Sequence, residues 1–195
     1  MYKKSYKSPL GIIYMRSDGE NLTGLWFESS RDVSKHSYNF EEKDLPIFDE
    51  TSRWLDIYFR GKNPDFTPKY KIENLTPFRS QVIDIMNKIP YGKTVTYNDI
   101  AKEIAQNRGI EKMSAQAVGG AVGWNPICII VPCHRVVGTN GSLTGYGGGI
   151  QNKVKLLEIE NNDMSKFTIP KKGTAIIKNI ICIKLNIYKD KKYTY

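Results

Sequence analysis

Cysteine and histidine are scarce in this chain. Its 195 residues hold three cysteines, Cys128, Cys133 and Cys182, and two histidines, His36 and His134. An odd cysteine count without CxxC spacing excludes a disulfide framework and a structural zinc site, and two histidines do not rescue a metal reading. No metal and no cofactor are therefore expected. No apolar stretch reaches the roughly 18 residues of a membrane helix, and no apolar leader with a cleavage site precedes the first structured segment. The expectation is a protein of a reducing compartment with no membrane partner: cytoplasmic in a bacterial-like cell, nuclear in a eukaryote. The glycine-rich run Gly145-Tyr146-Gly147-Gly148-Gly149 lacks the lysine and hydroxyl residue that would follow in a phosphate loop, which excludes nucleotide-triphosphate chemistry. There is no internal repeat.

What is present suits one ordinary domain or two small ones packed together. Hydrophobic residues make up 40% and charged residues 25%. The net charge of +9 is unevenly spread: residues 163–195 hold eight lysines and two aspartates, so most of it lies in the tail. The main body is only mildly basic, and global charge alone is weak support for a nucleic-acid partner.

The chain divides into three parts: 1–70, a β unit with a helix and linker; 71–172, a mostly helical unit; and 173–195, a lysine-rich tail. In the first, strands at Tyr2–Tyr6, 12–16 and 22–27 are separated by Ser8-Pro9-Leu10-Gly11 and Ser17-Asp18-Gly19, both turn signals. Residues 29–44 read as a loop with His36 at the surface. Ile47, Phe48, Thr51, Trp54, Leu55, Tyr58 and Phe59 recur at helical spacing before Gly61. In the second part, Thr76-Pro77 opens a helix, Thr96 and Asp99 form a capping pair for the next, and Ser114 caps a third through Gly123. Two short helices joined by a loop resemble a helix-turn-helix. The second of these carries Gly119-Gly120, each costing about 1 kcal/mol of helix stability relative to alanine. Either another helix or a nucleic-acid backbone must come close there. A helix over 150–160 follows with Ile150, Val154, Leu156 and Leu157 facing inward, and 166–170 reads as an edge strand.

The chemistry concentrates in Ile130-Val131-Pro132-Cys133-His134-Arg135-Val136-Val137. Pro132 fixes its own φ and biases Val131 toward extended geometry, so a strand-like apolar run ends at a stiff corner bearing a thiol. An isolated cysteine in such a run is usually an inert small hydrophobe. The adjoining His134 and the charge of Arg135, which would favour the thiolate, point instead to a reactive cysteine. Cys128 and Cys182 carry no such signal.

Pro132-Cys133-His134-Arg135-Val136, preceded by Ala117-Val118-Gly119-Gly120-Ala121 and Asn125-Pro126 and followed by Gly145-Tyr146 and Leu156-Leu157 ahead of Glu160, resembles the O6-alkylguanine-DNA alkyltransferases, the methylated-DNA–protein-cysteine methyltransferases. The resemblance covers about residues 75–172, most strongly 114–160. It implies an α+β fold: a small ribonuclease-H-like α/β domain followed by a mostly helical, winged-helix-like alkyltransferase domain. It implies a monomer that binds double-stranded DNA through the minor groove, flips out an O6-alkylguanine (or an O4-alkylthymine) and moves its alkyl group once and irreversibly to Cys133. His134 is then the water-mediated base, Glu160 the residue that orients it, Tyr97 the proton donor to guanine, and Asn125 the brace beneath the active-site turn. Gln116, Ala117, Gly119, Gly120, Arg135, Tyr146, Gly147 and Gly148 are implied contacts to DNA or to the flipped base. The zinc ligands found in the small domain of some members have no counterpart here.

One position departs from the family pattern. Where members often carry an arginine to fill the gap left by the flipped base, this chain has Gln116, which brings no charge, so binding through that helix should be weaker or less salt-dependent. The lysine-rich tail is expected to compensate: deleting residues 176–195 should lower DNA affinity and flatten its salt dependence. The alternatives are a damage sensor that flips alkylguanine without transfer, disfavoured because Cys133 is present; a cysteine hydrolase, which would take its base from a distant segment; and a helix-turn-helix regulator, which would present polar side chains to base edges where Ala-Gln-Ala-Val-Gly-Gly presents almost none.

Overall fold

The computed structural model describes residues 1–30 and 40–170. His36, Cys182 and the 173–195 tail lie outside the described residues. The first unit is a four-stranded sheet in the order β3-β2-β1-β4, with β1 Tyr2–Ser8, β2 Gly11–Ser17, β3 Leu22–Phe27 and β4 Glu41–Glu42. The first three strands are antiparallel neighbours. Their tight connections follow from turn chemistry. Ser8 Oγ accepts from Leu10 N at 3.1 Å and donates to Gly11 O at 2.6 Å, and Gly11 has φ +105°. Asp18 Oδ1 accepts from the backbone N–H groups of Glu20 and Asn21 at 3.0 and 2.7 Å, closing the second turn. The segment read as a loop over 29–44 contains β4, whose two residues pair parallel with Tyr2 and Lys3. Two exposed glutamates carry no β signal; the pairing is set by the free edge of β1.

Every residue of β3 is buried, although burial alternates along its neighbour β2. The reason is tertiary. Helix α1, Pro46–Phe59, packs against the sheet, and the polypeptide after Pro126 runs beside Leu25, with Leu25 N donating to Pro126 O at 2.8 Å and Cys128 N donating to Leu25 O at 2.9 Å. The linker closes on the same strand through Leu22 N to Lys69 O and Lys71 N to Leu22 O, each 2.9 Å. One hydrophobic cluster therefore runs through both units, from Ile13 and Phe48 to Val118 and Leu156.

The second unit holds α2 Pro77–Asn87, β5 Val95–Thr96, α3 Tyr97–Arg108, α4 Ala115–Gly123, β6 Val136–Val137 and α5 Ile150–Ile159, with β5 and β6 paired in parallel. The three expected caps are in place. Thr76 Oγ1 accepts from Arg79 N, Thr96 and Asp99 form a reciprocal capping box, and Ser114 Oγ accepts from Ala117 N. Helix α3 ends at Gly109 in the left-handed region, φ +63°, which glycine adopts at no steric cost. α3 and α4 are the helix-turn-helix pair.

Two expectations change here. The edge strand over 166–170 is instead a 3₁₀ turn, Met164–Lys166, followed by a single bridge between Ser142 and Thr168. The run before Cys133 is not a strand beyond its one bridge at Ile127. It coils, with Ile129 at φ +69°. A β-branched residue there costs on the order of 1–3 kcal/mol, offset by the complete burial of Ile129 and by the ties that Asn125 makes across the coil.

Candidate active site

Asn125 organises the corner that carries the thiol. Its Oδ1 accepts from Ile127 N at 3.0 Å, and its Nδ2 donates to Ile127 O at 3.3 Å and to Val131 O at 2.9 Å. Three backbone groups that a strand would have paired are thereby satisfied within the coil, which ends in a 3₁₀ turn over Cys133–Arg135. Cys133 is 7% exposed. Burial pushes its thiol up, while the Asn125 side chain and the Lys153 ammonium pull it down; the net direction is upward, so the resting group is a thiol.

His134 and Glu160 come together in a pocket that excludes solvent. His134 Nε2–H donates to Glu160 Oε1 at 2.7 Å, and both side chains are fully buried. His134 Nδ1 is buried with no hydrogen-bond partner. Burial holds the imidazole below its ordinary pKa despite the carboxylate, so it is neutral and able to accept a proton near neutral pH. Burial alone would raise Glu160, but hydrogen bonds from His134 and Arg135 override it and hold the carboxyl at about 2. Gly92 N adds a bond to Oε2 at 3.0 Å. Gly92 has φ +72°, and a Cβ there would stand 2.9 Å from the Glu160 carbonyl, so the turn approaches as closely as only glycine permits.

Arg135, expected from the sequence as a DNA contact, is turned inward to Glu160. It is 9% exposed; its Nε and Nη2 bond Glu160 at 3.0–3.1 Å, and Nη1 donates to Ile89 O at 2.7 Å. Its charge is neutralised by that carboxylate. The cation acting on Cys133 is Lys153, which the sequence reading did not single out. Lys153 is 0% exposed; its Nζ donates to Val136 O at 2.6 Å and Thr144 O at 3.0 Å. Burial lowers it to about 8, opposed by Cys133. The signal was available: Lys153 stands three residues after Ile150 and four before Leu157, on the stripe that faces the core. Tyr58 was also read only as core. Its hydroxyl donates to Glu160 Oε1 at 2.9 Å and lies 3.2 Å from His134 Nε2.

Of the remaining expected residues, Gly120, Tyr146, Gly147 and Gly148 share a cavity with the thiol, whereas Tyr97, Gln116, Ala117 and Gly119 do not line it. Tyr97, the first residue of α3, donates its hydroxyl to Thr144 O at 3.0 Å and lies against Gly119 and Gly145. Burial, reinforced by Cys133, raises it to about 12, so it stays protonated. Tyr146 is 2% exposed, with a buried hydroxyl that has no partner. Cys133, Asn125, Tyr146, Gly147 and Gly148 line part of a cavity of about 740 Å³ that also extends to Gly120 of α4. On α4, Gln116, Ala117 and Gly120 are exposed and Gly119 is half-buried. A Cβ on Gly120 would meet nothing within 4 Å, and one on Gly119 only the Tyr97 ring at 3.9 Å. Packing against another helix therefore does not explain the glycine pair. Among the described residues, no group of three or more His, Cys, Asp or Glu could hold a metal ion, and no helix is long and apolar enough to cross a membrane.

Comparison with known proteins fits this geometry. Residues 1–71 match the family model described as 6-O-methylguanine DNA methyltransferase, ribonuclease-like domain, and residues 77–162 match the DNA binding domain of the same name. The chain is 39% identical over 162 residues to the methylated-DNA–protein-cysteine methyltransferase of Methanosarcina acetivorans, across 83% of this chain and 99% of that one. It is 34% identical over 160 residues to the Haemophilus influenzae protein of that name, across 82% and 86%. Among solved structures, Mycobacterium tuberculosis OGT in complex with DNA is similar at a TM-score of 0.70 and 35% identity, covering 86% of this chain and 95% of that one.

Proposed function

Since the chain belongs to the 6-O-methylguanine DNA methyltransferase family and repairs DNA by alkyl transfer, we propose that Cys133 is the acceptor and that the lesion is an O6-alkylguanine flipped from the minor groove into the cavity beside it. The observation that carries this reading is a buried thiol lining a cavity large enough for a purine, next to a neutral imidazole whose far nitrogen is held by a carboxylate. The thiol proton passes through one bridging water to His134 Nδ1. The sulfur lone pair then forms an S–C bond to the alkyl carbon as the C–O6 bond breaks, and its electron pair goes to the guanine. Tyr97 donates a hydrogen bond to the developing guanine anion, giving up Thr144 O; in the balance, the thiol proton ends on guanine. No tetrahedral oxyanion forms. The thioether does not hydrolyse, so each molecule acts once.

Glu160 orients His134 and stabilises its cation. Lys153 stabilises the thiolate once it forms. Asn125 keeps the coil rigid under the thiol. On the DNA side, the bare face of Gln116, Ala117, Gly119 and Gly120 suits close contact with the sugar-phosphate backbone, and Tyr146, Gly147 and Gly148 suit a wall of the base pocket. Arg135 is assigned to the Glu160 network and not to DNA. The chain acts as a monomer of two units, 1–70 and 71–172, followed by the 173–195 tail. A free nucleophilic thiol requires a reducing compartment, so the protein works in the cytoplasm.

The test is the intact and peptide mass after mixing the protein with duplex DNA bearing one O6-methylguanine. The expected result is one methyl group on the peptide containing Cys133, stoichiometric and lost in Cys133→Ala. Tight lesion binding without mass gain would make it a sensor.

A further inference from the structure

We propose that Tyr58, delivered from the first unit by α1, is a positioning residue for alkyl transfer: its hydroxyl shares the charge of Glu160 and so sets how readily His134 gives and takes a proton. This rests on the assignment of His134 as the base.

Tyr58 is fully buried and its ring is stacked on Trp54, with centroids 5.4 Å apart and planes 8° from parallel. It also meets Phe59, Tyr91 and His134 edge-on. The hydroxyl therefore has little freedom. It has one proton and two partners, Glu160 Oε1 at 2.9 Å and His134 Nε2 at 3.2 Å. The carboxylate is the stronger acceptor and takes it. His134 Nε2 must then carry its own hydrogen, because an unprotonated nitrogen 2.7 Å from Oε1 would set lone pair against lone pair. The phenol and the Nε2–H thus join Arg135 Nε and Nη2 on Oε1, the phenol oxygen faces the Nε2–H, and Nδ1 is left as the base.

Burial weighs most on His134, against its cation; of the charged groups, Glu160 favours the cation and Arg135 and Lys153 oppose it, while Tyr91 acts on Tyr58 and Cys133 on Lys153. Glu160 divides its charge among Tyr58, Arg135, Gly92 N–H and His134. Removing the phenol hydrogen bond gives the imidazolium a larger share. His134 then protonates at higher pH, and a protonated imidazole cannot accept the Cys133 proton. The first unit thereby tunes the proton transfer and is not only a support for the DNA-binding half.

The experiment is single-turnover methyl transfer by full-length wild type, Y58F and W54L across pH, with DNA affinity measured alongside. A ¹⁵N NMR titration of His134 in the free proteins accompanies it; with only two histidines in the chain, assignment is direct. In Y58F the acid limb of the rate profile should move up by about one unit, and the rate below both midpoints should fall about tenfold. The His134 titration should move with it while lesion affinity stays unchanged. W54L disturbs the packing under Tyr58 but keeps the hydroxyl, and should leave the limb where it was. An unmoved limb and titration in Y58F, or an equal shift in W54L, would overturn the proposal. A wild type that never transfers methyl would instead overturn the function assigned to the site, and the free-protein titration would still decide on Tyr58.

Discussion

The corner around Cys133 and helix α4 border the same cavity and are built on opposite rules. At the corner, one buried carboxylate is bound several times over: Glu160 accepts from His134, Arg135, Tyr58 and Gly92. Helix α4 exposes Ala117 and Gly120 with almost no polar side chain, and Gly120 lies against open space. The corner spends desolvation on holding one protonation pattern, which is worthwhile only where a proton must move. α4 gives up helix propensity to leave room for something outside the chain. Positioning and contact are thus handled by separate parts of the site, and each fails in its own way when altered.

The sharpest break of the comparison is Cys133→Ala. Methyl transfer should vanish by mass spectrometry while lesion affinity changes little, since the residue acts on the reacting carbon and not on the DNA backbone. Glu160→Gln comes next. Arg135 would keep its charge without its partner, so stability should fall by about 3–5 kcal/mol in denaturant unfolding, and transfer should slow by at least about 100-fold. The same residue predicts an acid signature. Its folded pKa is depressed from 4.5 to about 2. Its contribution is therefore complete above the ordinary carboxylate range and lost as pH falls from there toward about 2. Unfolding at pH 7 and pH 3 should show wild type losing this part and Glu160→Gln having none to lose.

On α4 the sign reverses. Gly120→Ala should stabilise the fold by up to about 1 kcal/mol through helix propensity, yet weaken DNA binding by roughly tenfold because the added methyl enters the contact. Melting temperature and binding isotherms, measured together, check this; a variant that binds as wild type would mean α4 does not approach DNA. The smallest effect expected is for Gln116→Arg. It should strengthen DNA binding several-fold and steepen the salt dependence by about one counterion, read from the slope of log affinity against log salt.

Local chemistry made much of this legible. Thr76-Pro77, Thr96 with Asp99, and Ser114 are cap signals that act within one helical turn, and all three helices start where those residues stand. The motif around Cys133 and the order of Asn125, Tyr97 and Glu160 were readable as a set. The inward pairing of Arg135 was not readable, because a sequence displays a charge but not the carboxylate, 25 residues away, that neutralises it. Lys153 was passed over as part of an amphipathic helix, although a lysine on the core stripe is itself a warning. Tyr58 was unreadable: a tyrosine at helical spacing gives the same pattern whether its hydroxyl meets solvent or a buried histidine and carboxylate.

By itself, the sequence determined the family, most elements with their caps and turns, and the candidate nucleophile, because these depend on residue types at short, fixed separations. Only the tertiary structure decided that Ile129 coils where a strand was expected, that β3 is buried on both faces, that Lys153 and not Arg135 is the cation acting on the thiol, and that α1 reaches His134 and Glu160. Each of these is set by which distant groups must share a volume without water, and a buried donor or charge accepts whatever partner the packing brings to it.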